Sequence, residues 1–361
     1  MDDTLTDVRT TTSGAPPIRP LTLAQLIMPT AAEIDRGRRR AQAKALFIAA
    51  LTVGAYWGLV MASGGIWTAL VCAALLVVAV TAVATCVMHD SNHGSLTRSP
   101  RLNRAVGYTA DLLGASSWLW RFTHNNLHHG NTNVDGVDSD ISQAPWARLA
   151  PTQPWRRWHR YQHLYMWFLY AFLTMKWLAF GDFSNLWRGR VGTQELRQAP
   201  RRRDVAIMIT GKLVHLTWAV GIPLLFHPWW VVLTFYVACS WLVGFSLAII
   251  FQLAHCVDNV EFVAPDQPRR AAAFELHQLR TTVDVQTRVP VLRWLMGGLD
   301  HQIEHHLAPR VPHTLYPMLA RRLRAACADQ GMPYQVHPTF LAAVRAHARW
   351  LREMGRPPAV T

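Results

Sequence analysis

Ala45-Leu46-Phe47-Ile48 through Thr85-Cys86-Val87-Met88, followed at once by His89-Asp90-Ser91-Asn92-His93, is the stretch whose reading decides the fold. Ala45 to Met88 is 44 residues without one Asp, Glu, Lys or Arg. A single helix of that length would be about 66 Å long, roughly twice the ~30 Å hydrocarbon core of a bilayer. Ala62-Ser63-Gly64-Gly65 offers a small-residue turn, so the stretch reads as two membrane spans, about 45–63 and 66–88, folded as a hairpin. A second uncharged stretch, Leu213 to Ala254, is interrupted at Pro223 and at His227-Pro228. It reads as a second hairpin with spans at about 206–227 and 229–254.

The rest of the composition agrees with a membrane protein. The chain is 51% hydrophobic and 16% charged, against roughly 25% charged in ordinary soluble domains. Its net charge of +14 is concentrated in Arg36, Arg38, Arg39, Arg40 and Lys44, in Arg201, Arg202, Arg203 and Lys212, and at the C-terminus. These basic groups avoid both hairpin turns, and the positive-inside rule puts all three on the cytoplasmic side. No nucleic-acid-binding motif accompanies the charge, so a nucleic-acid partner is not expected. Cys72, Cys86, Cys239, Cys256 and Cys327 have no CxxC spacing and read as small buried residues. The N-terminus lacks a charged start followed by an apolar core, so no signal peptide is expected.

The expected organisation is a disordered tail (1–20), a membrane domain (21–330) and a cytoplasmic helical tail (331–361). The fold class is all-α: four transmembrane helices in two hairpins, interfacial helices and a cytoplasmic histidine-rich cap. Tyr161 to Phe180 is apolar and aromatic but carries Lys176. A crossing there would put the histidines before it and those after residue 254 on opposite faces of the bilayer. Its Tyr161, Tyr165, Trp167, Tyr170 and Trp177 suit the headgroup level, and the segment reads as an interfacial helix.

Of the 17 histidines, eight fall in three tight clusters. The first is His89 and His93, at the end of the second span. The second is His124-Asn125-Asn126-Leu127-His128-His129. The third is His301-Gln302-Ile303-Glu304-His305-His306. Rings at i and i+4 share one helical face and can chelate a metal without backbone distortion. Imidazole suits zinc, copper, iron or nickel, so ligand type alone leaves the metal open. The number of rings exceeds one tetrahedral site and points to two metals. A carboxylate-bridged soluble bundle would carry Glu and ExxH motifs on four helices, which this sequence lacks. His159, His163, His215, His227, His313, His337 and His347 stand alone and read as structural. A haem cytochrome would place single histidines facing each other inside spans, and a metal transporter would place ionisable ligands mid-membrane. Clusters at span ends speak against both.

With these residues in hand, the chain resembles the membrane fatty acid desaturases, and within them the front-end (delta-5/delta-6-like) type. The resemblance is carried by Trp120-Arg121-Phe122-Thr123 to His129 with Asn131-Thr132-Asn133 and Gly136 to Asp140, by Phe251-Gln252-Leu253-Ala254-His255, by His277-Gln278-Leu279-Arg280-Thr281-Thr282, and by Gly297-Gly298-Leu299-Asp300-His301-Gln302-Ile303-Glu304-His305-His306-Leu307. It covers about residues 40 to 330.

The resemblance implies two iron ions held by His89, His93, His124, His128, His129, His255, His305 and His306, with Gln302 where other desaturases have histidine. His301 departs from the aromatic residue common in the family, which leaves open whether it or Gln302 faces the metal; the spacing favours Gln302. Asp90, Asn125, Asp138, Asp140 and above all Glu304 are candidates to orient ligand rings. The implied reaction is O2-dependent introduction of a double bond into a fatty acyl chain carried by CoA, acyl carrier protein or lipid. A hydroxylase, epoxidase or acetylenase on the same scaffold is the alternative. Trp118, Trp120 and Phe122 are candidate tunnel residues. The chain shows no HPGG motif of a fused cytochrome b5, so electrons are expected from an external ferredoxin or cytochrome b5-type donor docking on the basic face. Leu319 to Arg324 is a candidate lipid-binding helix. The expected location is multi-pass in a bacterial plasma membrane, with the site on the cytoplasmic side.

Overall fold

Thr30-Ala31-Ala32-Glu33 opens the first long helix as a capping box: Glu33 N donates to Thr30 Oγ1 at 3.2 Å and Thr30 N donates to Glu33 Oε2 at 2.8 Å. The computed structural model describes residues 22–61, 65–196, 199–264 and 274–358. The expected disordered tail (1–20) and most of the first hairpin turn (62–64) lie outside the described residues.

Among the described residues, four helices are long and apolar enough to cross a membrane: α1 (Ala31–Val60), α2 (Ile66–His93), α3 (Arg202–Leu225) and α4 (Trp229–His255). α1 begins 14 residues before the uncharged stretch, because its Arg-rich first turns run out of the bilayer end as continuous helix. In α3 the regular helix ends at Leu216, and a wide turn over Thr217–Gly221 leads into Pro223–Leu225. Pro228 then precedes the first residue of α4, where its missing N–H costs nothing.

The four helices form two layers. For α2 and α4, 61% and 50% of the apolar window is buried, against 17% and 22% for α1 and α3. α2 and α4 therefore pack together as the inner pair. The outer faces leave Leu46, Trp67, Val71, Leu213, Leu225 and Trp229 exposed, a continuous apolar surface that a soluble protein would not carry and that lipid would cover.

Between α2 and α3, Arg157–Tyr170 and Leu173–Arg188 meet at 75°. The bend is incompatible with one straight span. α4 approaches the bend so closely that a Cβ on Gly244 would lie 2.5 Å from Ala171 O.

The cap sits beyond the histidine-bearing ends of α2 and α4. Phe340–Met354 buries Ala343, Leu351 and Met354 in one core with Leu149, Met166, Tyr170, Ile249 and Leu253. Tyr316–Asp329 buries Leu319, Ala320 and Leu323, and Arg322 donates to Glu33 Oε1 at 2.8 Å. Leu319 to Arg324 thus packs its apolar face into the cap, while Arg321 and Arg324 remain exposed. Short parallel strands Asp284–Val285 and Val336–His337 tie the two parts of the cap together.

Candidate metal centre

α2 widens into a π-helical turn over Val83–Met88 just before the first histidine pair, and the second cluster lies on another π-helical segment, Arg121–His128. Such turns shift the register of everything that follows and are frequent at functional sites. The third cluster lies on the short helix Gln302–Leu307. Gly297 and Gly298, at φ +62° and +79°, turn the chain into that helix. A Cβ on Gly298 would lie 2.8 Å from Tyr316 and 2.9 Å from His313, so only glycine fits there.

All eight histidines of the expected ligand set are buried and meet at one end of the helix pair. They sort into two groups whose ring nitrogens could each hold one ion. His89, His93, His124 and His305 form the first, and His128, His255 and His306 the second. His129 stands between them, with its ring 4.5 Å from that of His305 and 4.3 Å from that of His306. Its Nε2 lies 3.2 Å from His124 Nε2.

The expected i, i+4 pairing holds for His89 and His93, whose rings are 4.6 Å apart. His124 and His128 also come together, with Asp140, closely enough to share an ion, although each belongs as well to a different one of the two all-histidine groups. In the wider π-helical turn, His124 sits over both His128 and His129, at 5.3 Å and 4.8 Å. His305 and His306 likewise divide, one to each group.

Each group is braced from behind. His128 Nδ1 lies 3.0 Å from Asp138 Oδ2, which also accepts from Asn133 N at 2.9 Å. His305 Nδ1 lies 3.0 Å from the Tyr316 hydroxyl, and His306 Nδ1 lies 2.9 Å from Gln278 Oε1 and 3.1 Å from Thr132 Oγ1. The opposite nitrogens, Nε2 of His305 and His306, are buried with no hydrogen-bond partner, as are Nε2 of His89 and His93 and Nδ1 of His255. Buried ring nitrogens without partners are costly, and their convergence is what a metal site requires. Burial, with the neighbouring histidines, holds the pKa of His124, His129, His305 and His306 well below the ordinary value. These rings are therefore neutral, the form that binds metal. His128 differs: burial opposes its charge, but Asp138 and Asp140 outweigh burial and raise it to about 9.

Gln302 is turned toward His255, while His301 points away, with Nδ1 3.5 Å from Asp284 Oδ2. The favoured orienting residue, Glu304, does not reach the ligand rings. It faces Tyr334, His301 and Asp284 on the far side of its helix. Asp138 has the orienting contact instead, with Asp140 3.6 Å from the same ring nitrogen. Asp90 pairs with His313 at 2.8 Å, which gives that lone histidine a bracing role. Asn125 donates to Asn92 O at 3.0 Å and so ties two cluster backbones together. Tyr316, which no sequence motif marked, was legible only as an aromatic at a helix start.

An apolar cavity of about 330 Å³ leads away from the histidines between the helices, within the size range of small-molecule sites. Met88 and Ala84 line its near end and Val60, Gly65 and His227 its far end. Trp118, Trp120 and Phe122 are not among its walls. Trp120 stacks on His124 at 4.3 Å, and Trp118 and Phe122 pack with Leu119, Leu127 and Met208.

Residues 65–338 match the family model described as fatty acid desaturase. The chain is 34% identical over 285 residues to the sn-1 linoleoyl-lipid 6-desaturase of Synechocystis sp., covering 78% of this chain and 79% of that protein. It is 32% identical over 317 residues to the enzyme of the same name from Arthrospira platensis, covering 87% and 86%. To the acyl-lipid (8-3)-desaturase of Physcomitrium patens it is 35% identical, over 76% of this chain and 58% of the relative. With four apolar helices and a buried histidine cluster at their end, this chain belongs to the fatty acid desaturase family, front-end type, as an integral membrane oxidoreductase acting on lipids.

Proposed function

We propose that the chain introduces a double bond into a fatty acyl chain at a histidine-held diiron centre, with O2 as co-substrate. The observation that carries this reading is the convergence of buried, partnerless ring nitrogens from three clusters and α4. One iron would take His89, His93, His124 and His305; the other would take His128, His255 and His306. His129 lies between the two, and Gln302 lies beside His255. Histidine suits several metals; seven or eight buried histidine rings for two ions fit iron in the chemistry of this family. Bound there, the iron pair would supply the oxidising power for removing hydrogen from an unactivated methylene pair, which no side-chain acid or base can do. The reaction balances as one O2, two electrons and two protons taken up with two acyl hydrogens, giving one double bond and two waters.

The protein's own part is to hold the rings and position the chain. Asp138, Tyr316, Gln278 and Thr132 fix ring orientation through the outward nitrogens. The cavity from Met88 toward Val60 receives the acyl chain and excludes water from it. The cyanobacterial relatives are named for acyl groups on lipid, which favours a lipid-linked acyl chain here over CoA or acyl carrier protein. Electrons would come from a ferredoxin or cytochrome b5-type donor at the basic end of the helices, where Arg36, Arg39 and Arg40 precede the apolar part of α1. The same basic residues support a cytoplasmic site in a bacterial plasma membrane.

The test is gas chromatography with mass spectrometry on lipids of a heterologous host, supplied with a working donor and fed saturated and monounsaturated acids. A new double bond with the wild type, absent with the His305→Ala, His306→Ala double variant, is expected. Hydroxylated or epoxidised products would move the chemistry to that alternative.

A further inference from the structure

On the back of the helix that carries His305 and His306, a second group of metal-type donors is gathered away from both histidine groups. Asp284, His301 and Glu304 place one donor atom each within 4.8 Å of one another. His301 Nδ1 lies 3.5 Å from Asp284 Oδ2 and 4.0 Å from Glu304 Oε2. A first-row ion with bonds of about 2.0–2.2 Å in a tetrahedral site holds its donors ~3.3–3.6 Å apart, so small side-chain rotations close this group around one ion.

The surroundings favour a cation. Asp284 and Glu304 are 1% and 0% exposed. Among the described residues, neither has a Lys or Arg within ion-pairing distance; Arg324, over the Tyr334 ring at 5.0 Å, acts on both only from beyond that range. Glu304 Oε2 and both ring nitrogens of His301 are buried without a hydrogen-bond partner. The Tyr334 hydroxyl lies 2.6 Å from Asp284 and 2.8 Å from Glu304, but it has one proton for two carboxylates. Ile303 N is the other donor to Asp284, at 3.1 Å. Two carboxylates so placed, out of water and short of donors, are costly unless a positive charge joins them. Asp300, 3.9 Å from His301 Nε2, adds negative charge and is itself 3.9 Å from Arg293. The His301 side chain remains 16% exposed, which leaves a route from solvent.

We propose that Asp284, His301 and Glu304 form a third metal site, structural in role, for a divalent first-row transition ion such as zinc. The ion would join the Gln302–Leu307 helix, through Glu304 and the preceding His301, to the strand Asp284–Val285. It would thus hold the helix bearing two of the candidate iron ligands against the cap.

The test is total metal per chain, by elemental mass spectrometry, in the detergent-purified full-length protein loaded with iron and then dialysed against micromolar zinc. Wild type is compared with His301→Phe and Asp284→Asn; asparagine keeps an oxygen for Ile303 N. The expected result is one metal ion fewer per chain in each variant, with iron content unchanged. Because the readout is a difference, it does not depend on the histidine groups holding two irons. Equal metal content in wild type and both variants would overturn the proposal and leave the two carboxylates sharing a proton.

Discussion

His128 Nδ1 and Asp138 Oδ2 stand 3.0 Å apart with both side chains buried, and the same carboxylate oxygen accepts from Asn133 N. One contact therefore fixes the orientation of a candidate ligand ring and the course of the loop behind it. Asn133, held at φ 55°, donates through Nδ2 to His255 O at 2.8 Å, so the loop also reaches the end of α4. Asp138→Ala should weaken iron retention by about 10- to 100-fold, the usual cost of losing such a partner. Asp138→Asn, which still accepts from the ring, should fall between. Iron content after dialysis against a graded chelator measures both, and retention equal to wild type in Asp138→Ala would remove this residue from the site.

Tyr316 stands behind His305 in the same way, 3.0 Å from Nδ1. Tyr316→Phe keeps the ring that packs against Gly298 but deletes the hydroxyl. Turnover and iron affinity should fall about tenfold, while the thermal unfolding midpoint stays close to wild type. A fall in midpoint with unchanged iron affinity would mean the hydroxyl matters for packing alone.

Gly298→Ala should be far more damaging than its one added methyl suggests. The residue combines a positive φ with contacts that place a new Cβ under 3.0 Å from both Tyr316 and His313. The expected outcome is protein that is lost from the membrane fraction or melts well below wild type, at a cost of about 1–3 kcal/mol from the backbone strain alone. Fluorescence-detected size exclusion of a tagged chain reads this directly.

Val77 lines the cavity 11 residues before Met88 on α2, about 17 Å along the helix. Val77→Trp should obstruct the cavity at that depth without touching a candidate ligand. Activity on long acyl chains should drop at least tenfold while shorter chains are retained, as read from product profiles of mixed-acid feeding. Equal loss at all lengths would show that the chain does not follow this cavity.

The sequence by itself determined the membrane architecture and the residue types of the site. Two long uncharged stretches with a central break can satisfy their backbone in lipid only as helices. Three histidine clusters at helix ends on one side leave little other than metal chemistry. The proline breaks near 223 and 228 were legible for the same local reason, since a missing N–H acts wherever it stands.

Which ring joins which group was decided only by tertiary structure. The π-helical segment that sets His124 over both His128 and His129 leaves no periodic trace in the sequence, because a one-residue register shift depends on packing against neighbouring helices. The side on which Glu304 points was equally hidden. Spacing places it next to His305 along the chain, but a residue one step away on a helix is turned by about 100°, toward Tyr334 and Asp284. Tyr316, Gln278 and Asp284 come from separate segments, and only the folded cap brings their hydroxyl, amide and carboxylate to the helix that carries His305 and His306.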